Sequence, residues 1–192
     1  TTGTFTMEAW VNPSDSCSSA GAVIAKLSYM LYCNSGYWYV MALANGSTGS
    51  GVSTSIPIEP NEWHHIAATK ASSSGNILFY YDGILVNTVA SGATTMTPND
   101  HAFQIGRWDN NAAYWFQGQI DEVRFYNSQR TQSQIASDMK SYGGVNDSDL
   151  MAYYDFNEGT GTTLYNRKTG ATAGTDLTIT GSPTWADVKI TD

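Results

Sequence analysis

The residues able to do chemistry fall in four places. In "FQGQIDEVRFYN", Asp121 and Glu122 stand side by side. In "IPIEPNEWHHIAATK", Glu59 and Glu62 precede the consecutive His64 and His65; the remaining histidine, His101, lies in "TPNDHAF". Cys17 and Cys33 are the only cysteines. In "CNSGYWYV" and "RWDNNAAYWFQ", aromatic rings are interleaved with amides and charges. Two carboxylates that act on one glycosidic bond with retention need about 5–5.5 Å between them. Strand alternation sends neighbours to opposite faces, so Asp121 and Glu122 are expected apart, with Glu122 at the surface. Glu59 and Glu62 flank a proline that interrupts any strand, which reads as a solvated turn. Only one of His64 and His65 can face a given site, and packing is the expected role. Three scattered histidines and two distant cysteines match neither a zinc constellation nor a redox CxxC. The cysteines are either a disulfide, worth about 3 kcal/mol in loop closure, or two separate thiols. The acidic, Ser/Thr-rich chain favours the bond.

Composition narrows the partners. The 192 residues carry nine Lys and Arg against 17 Asp and Glu, a net charge of −8. Nucleic acid and anionic membrane surfaces need clustered cations, so both are excluded as partners. No apolar run of about 18 residues exists to cross a membrane. Tyr and Trp number 12 and 6 against 6 Phe, amphipathic rings suited to contacts at a wet surface. The chain opens directly into a strand pattern, which reads as a module tethered to further domains.

The elements that must position these residues are strands. "TFTMEAWV" alternates Phe5, Met7, Ala9 and Val11 against Thr6, Glu8 and Trp10. "GAVIAKL", "YWYVMALA", "VSTSIPI", "WHHIAATK", "AFQIGRW" and "QIDEVRFYN" are further short runs bounded by turn formers. Asp82-Gly83 in "LFYYDGILV" marks a tight hairpin. One helix is expected in "SQRTQSQIASDMKSYGG", with Thr131 as N-cap, Ile135 and Met139 on one face and Gly143 as stop, decorating an edge. After Gly144 a strand, "LMAYYDF", leads a Gly/Thr-rich segment too short to build its own core. The fold class is therefore all-β, a two-sheet antiparallel jelly-roll sandwich with one short helix. Residues 1–192 read as a single domain, with 1–144 as the main jelly roll and 145–192 completing it.

"FTMEAWVNPS", "EWHHIAATK" followed by "LFYYDGILV", "IGRW" and "FQGQIDEVRFYN" together resemble the laminin-G-like, concanavalin A-like jelly rolls of bacterial surface and secreted proteins. The resemblance covers about residues 5–142. "LMAYYDFNEGTGTTLYNRKTGATAG" resembles the strand that opens such domains, yet stands after the jelly roll. Either the chain is circularly permuted, its last strands filling the place beside "TFTMEAWV", or a following repeat begins here. Permutation is preferred, because an orphan segment would expose Leu150, Tyr153, Tyr154 and Phe156. Family members that cleave glucans carry carboxylates on one strand face in an E-x-D-x-x-E pattern, which is missing here, so no catalytic residue is assigned. A glycoside hydrolase is the third and least favoured reading. In related sandwiches the Asp of an "IDEVRFY"-type strand meets a calcium ion beside the opening strand. The resemblance thus implies a structural calcium with Asp121 and Asp155 as metal ligands.

Ligand binding then rests on aromatics and amides, which cover the C–H faces and bond the hydroxyls of a sugar. Arg107, Trp108, Asp109, Asn110, Asn111, Tyr114 and Trp115 form the main candidate site. Trp38 and Trp10 are added as rings that alternation can put on an open face; packing is assumed for Trp63 and Trp185. The expected function is a non-catalytic carbohydrate-binding or adhesion module of a larger protein, extracellular or at the cell surface, with a glycan or cell-surface ligand as partner. A structural spacer or protein-binding module is the alternative.

Overall fold

Strand β1 (Phe5–Pro13) sorts its side chains as the sequence alternates. Phe5, Met7, Ala9 and Val11 enter the main core, and Thr6, Glu8 and Trp10 take the other face. The computed structural model describes residues 3–26, 29–42, 51–72, 75–90, 102–108, 114–142 and 147–186. β1 lies in a six-stranded sheet between β6 (His64–Lys70) and β10 (Gly118–Tyr126). Outside β6 come β7 (Ile77–Tyr81) and β8 (Ile84–Val89). They are joined by the expected hairpin, with Asp82 and Gly83 both at positive φ. The second sheet has five strands in the order β5 (Val52–Pro57), β4 (Tyr37–Ala42), β3 (Tyr29–Asn34), β2 (Gly21–Lys26), β9 (Gln104–Ile105). The two antiparallel sheets pack as a sandwich around Val23, Leu31, Trp38, Ile66, Phe79 and Val123. Cys17 and Cys33 are bonded to each other, tying the β1–β2 connection to β3.

The C-terminal strand β11 (Leu150–Tyr154) joins the six-stranded sheet, but not beside β1. Both edges of β1 are already used by β6 and β10, so β11 pairs with β10 instead, Val123 opposite Tyr154 and Arg124 opposite Tyr153. A short ribbon of β12 (Thr163–Leu164) and β13 (Leu177–Thr178) follows, with Leu164 packed into the main core.

Helix α1 (Gln132–Asp138) begins at the expected Thr131, which forms a reciprocal capping box with Gln134. It ends at Met139, short of Gly143, and it covers the outer face of the six-stranded sheet rather than an edge. Ile135 packs on Ala67 and Tyr80, and Trp10 Nε1 donates to the Met139 carbonyl at 3.0 Å. Beneath this cover lies a buried polar network. Arg124 donates to Glu122 Oε2 at 2.7 Å, Tyr153 donates to the same oxygen at 2.7 Å, and Arg130 clasps Asp138 and Asp147.

Candidate functional site

The aromatic segment is built on the edge of the five-stranded sheet. β9 pairs with β2, and Gly106 turns the chain at φ +75° while its N–H donates to the Val23 carbonyl at 3.0 Å. The chain returns alongside itself: Trp108 N donates to Tyr114 O at 3.3 Å, and Phe116 N to Gly106 O at 3.0 Å. Ala22 N also donates to Tyr114 O at 3.2 Å, stitching the returning limb to β2. This clamp stacks Trp108 on Tyr114, ring centres 5.3 Å apart and planes within 9°. An offset stack of this kind contributes about 0.5–1.5 kcal/mol beyond area burial.

The stacked pair lies on the outer face of the five-stranded sheet. It packs with Tyr39 against Ala22, Ala25, Met30, Tyr32 and Met41. Tyr32 and Tyr39 are themselves 5.3 Å apart, so four rings share one face. Trp115 is 44% exposed, with the Arg107 guanidinium 4.6 Å from its ring centre. Arg107 also donates to Thr180 Oγ1 at 3.2 Å, which fixes it over the ring. Arg107, Trp108, Tyr114 and Trp115 are thus brought together; Asp109, Asn110 and Asn111 lie outside the described residues.

Two candidate rings are buried. Trp38 is 1% exposed and stacks near Phe116 in the main core. Alternation holds in "YWYV", but with Trp38 inward it is Tyr37 and Tyr39 that face out; Tyr37 is exposed and Tyr39 joins the ring cluster. Those two tyrosines were legible from the same four-letter run once its phase was known. Trp10 takes the expected side of β1, away from the core, yet α1 and its Met139 carbonyl cover it to 8% exposure.

The acidic pair also departs from expectation. Between Glu8↔Arg124 and Trp10↔Asp121 the register of β1 and β10 slips by one residue. Such a bulge sets two residues against one and re-aims side chains, and here Glu122 takes φ +51°. Glu122 therefore is not a surface residue: it sits buried with Arg124 and Tyr153 on the outer face of the sheet. Regular alternation, which assumed an unbroken ladder, no longer separates it from Asp121. Asp121 keeps one oxygen on the Glu122 N–H at 2.8 Å. Burial raises its carboxyl to about 7, with the charges of Glu122 and Asp155 adding to the rise. The charge of Asp155 thus reaches Asp121. Asp155 in turn accepts from Arg167 Nε at 3.0 Å, so a guanidinium already neutralises part of it. Calcium takes about 6–8 oxygens, so these two carboxylates fit only part of a coordination shell. Main-chain carbonyls and water would supply the rest. Among the described residues no group of three or more His, Cys, Asp or Glu is arranged to hold a metal ion.

Elsewhere His64 bonds Asp82 Oδ2 at 2.9 Å and stacks on Tyr81, while His65 is wholly buried beside Trp10. Both play the packing and bonding roles expected of them. Glu59 and Glu62 are exposed in the turn before β6, as expected, and Glu59 accepts from the Tyr81 hydroxyl at 2.8 Å.

A family model described as the concanavalin A-like lectin/glucanases superfamily matches residues 1–136. Among solved structures, a Bacteroides ovatus protein assigned to carbohydrate binding is similar at 22% identity and a TM-score of 0.71. That likeness covers 93% of this chain and 54% of the other, so this chain spans about half the length of the Bacteroides protein. Domain 4 of AbnA, a GH43 extracellular arabinanase from Geobacillus stearothermophilus solved with arabinotriose, is similar at 17% identity and a TM-score of 0.54. It covers 72% of this chain and 67% of that one. The CBM40 of the Ruminococcus gnavus IT-sialidase, bound to α2,3-sialyllactose, gives 12% identity and a TM-score of 0.56, over 71% and 82% of the two chains. No curated protein matches the sequence. Among the described residues no helix is long and apolar enough to cross a membrane.

Proposed function

Because this chain belongs to the concanavalin A-like lectin/glucanases superfamily, we propose that it is a non-catalytic carbohydrate-binding or adhesion module of a larger extracellular or cell-surface protein. The observation that carries this reading is the ring surface at Arg107, Trp108, Tyr114 and Trp115. A stacked pair is held rigid against the sheet, with an exposed indole and a guanidinium beside it. Rings cover the C–H faces of a sugar while cationic and amide groups bond its hydroxyls. In the sequence, Asp109, Asn110 and Asn111 follow Trp108 and carry groups of that kind. Kinship in fold with modules solved bound to arabinotriose and sialyllactose supports the same reading. The non-catalytic assignment rests on the acids: Glu122 is held by Arg124 and Tyr153, and Glu8 lies under α1, so neither faces an open cleft.

A glycan array probed with wild type and with Trp108→Ala and Trp115→Ala tests it. Wild type is expected to bind a defined glycan class, and each substitution to weaken it by about tenfold or more, from lost ring contact of roughly 1–3 kcal/mol. No binding across broad panels would sink the lectin reading. The alternative, a protein-binding or spacer role, draws on β8, which exposes Ile84, Leu85 and Val86 in succession on a sheet edge.

The calcium proposal concerns Asp121 and Asp155 and is structural in role. It is supported by two neighbouring carboxylates, one of them half-buried at a cost to its charged form that a cation would remove. Thermal melts in calcium and in chelator should then differ by several degrees in wild type and coincide in Asp121→Asn. Coincident wild-type melts would remove the ion from the proposal.

A further inference from the structure

A second polar cleft lies in the C-terminal segment, outside the residues matched by the family model and apart from the ring surface. Its volume is about 370 Å³, and Glu158, Thr160, Thr162, Thr163, Tyr165 and Arg167 line it. The side chains are organised around one carboxylate. Glu158 Oε1 accepts from Arg167 Nη2 at 3.1 Å and from the Tyr165 N–H at 3.1 Å. Arg167 is anchored in turn by Asp155 Oδ1 at 3.0 Å, and its guanidinium stands 5.5 Å from the Tyr165 ring centre. The Glu158 side chain is only 4% exposed, yet its Oε2 has no hydrogen-bond partner among the described residues. A buried carboxylate oxygen left unbonded is costly, and a donor supplied from outside relieves that cost. The Tyr165 ring beside it is 47% exposed, more than core packing requires. Gly161, between the threonines, has open space where a Cβ would stand, so the rim is unobstructed there.

We propose that this cleft is a saccharide subsite for a neutral sugar residue, whose apolar face covers Tyr165 while a hydroxyl donates to the Glu158 carboxylate, its buried Oε2 turning toward the cleft to accept, and the threonine hydroxyls bond the rest. Charge selects the class. With no ion on Asp155, Asp155 and Glu158 against Arg167 leave one net negative charge at the cleft, and Arg167 already spends donors on both carboxylates; the sugar titration is therefore run in chelator. A uronate or sialate would place a further anion beside them, which costs free energy. The subsite is independent of the loop site in its residues, so the two can fail separately.

The experiment is a titration of the full chain with arabinose, glucose and glucuronate, followed by amide NMR. Arabinose or glucose is expected to shift the Gly161, Thr162 and Tyr165 signals in a saturable way. Tyr165→Phe should keep the effect, while Tyr165→Ala and Glu158→Gln should weaken it by about tenfold or more. Trp115→Ala should leave it unchanged, which separates this cleft from the ring surface. An unchanged core spectrum in each variant shows that the fold is intact. The proposal is overturned by any of three results: no shift with either neutral sugar at roughly 100 mM, well above a millimolar Kd; shifts that persist in Tyr165→Ala; or tighter binding of glucuronate than of glucose.

Discussion

Glu8 is the residue whose chemistry most exceeds its surroundings. It is fully buried between β1 and α1, and neither carboxyl oxygen has a partner among the described residues. Burial, and after it the charge of Asp138, raises its carboxyl to about 8 against the guanidinium charges of Arg124 and Arg130. A carboxyl whose folded pKa exceeds its unfolded value of 4.5 binds its proton more tightly when folded. Its contribution to stability is therefore complete below pH 4.5 and is lost as pH climbs through 8. Asp121, raised to about 7, has the same sign. His65 has the opposite one: burial lowers it from 6.5 to about 3, so its contribution holds above 6.5 and fades as pH falls toward 3. Replacing Glu8 by Gln keeps the shape and removes the titration. Melts should show Glu8→Gln exceeding wild type by several degrees at pH 8.5 and nearly matching it at pH 4.5. A variant that parallels wild type at both values would mean that Glu8 does not hold its proton in the fold.

At the scale of elements, two devices fix the cover of the sandwich. The Cys17–Cys33 bond closes a loop of sixteen residues, and its loss in Cys17→Ser is expected to cost about 3 kcal/mol. Equilibrium unfolding in denaturant measures it, and an unchanged midpoint under non-reducing conditions would contradict the assignment. The capping box at Thr131 is smaller in effect: Thr131→Ala should cost about 1 kcal/mol, read as a lower midpoint in the same experiment. The cap was legible beforehand, because Thr131 announces itself through residue type and spacing; the cysteine spacing left bond and free thiols both open, and the acidic, Ser/Thr-rich composition favoured the bond. The Asp82-Gly83 hairpin was legible for the same reason. The bulge at Glu122 was not, since periodicity presupposes a regular ladder and nothing in "GQIDEVRFYN" marks where an extra residue enters. Trp38 and Trp10 are buried for reasons that alternation does not carry. Alternation gives a strand two faces but neither says which is inward, nor whether a helix from elsewhere will cover the outer one. The ring loop was the readable part of the candidate site, whereas the cleft at Glu158 depends on contacts between residues that single-sequence patterns do not connect.

For the whole molecule, the decisive feature is that β10, a long strand at the heart of the buried network, takes its outer neighbour from β11. A chain ending at residue 149 should leave β10 as an open edge, strip Tyr153 from Glu122 and remove Tyr154 from the core. Open edges of this kind recruit other strands, so the truncated chain is expected to self-associate in analytical ultracentrifugation where the full chain at the same concentration does not. A monodisperse truncated chain would show that β10 needs no partner on that side. The same connectivity also sets a timetable. β11 emerges from the ribosome roughly thirty residues after the strand it must cover, which at about 5–20 residues per second is a wait of about 1–6 s. A β1–β10 pairing formed within that interval would have an unfinished flank. Such a sheet would hold a vacancy that a neighbouring nascent chain on the same message is equally equipped to fill.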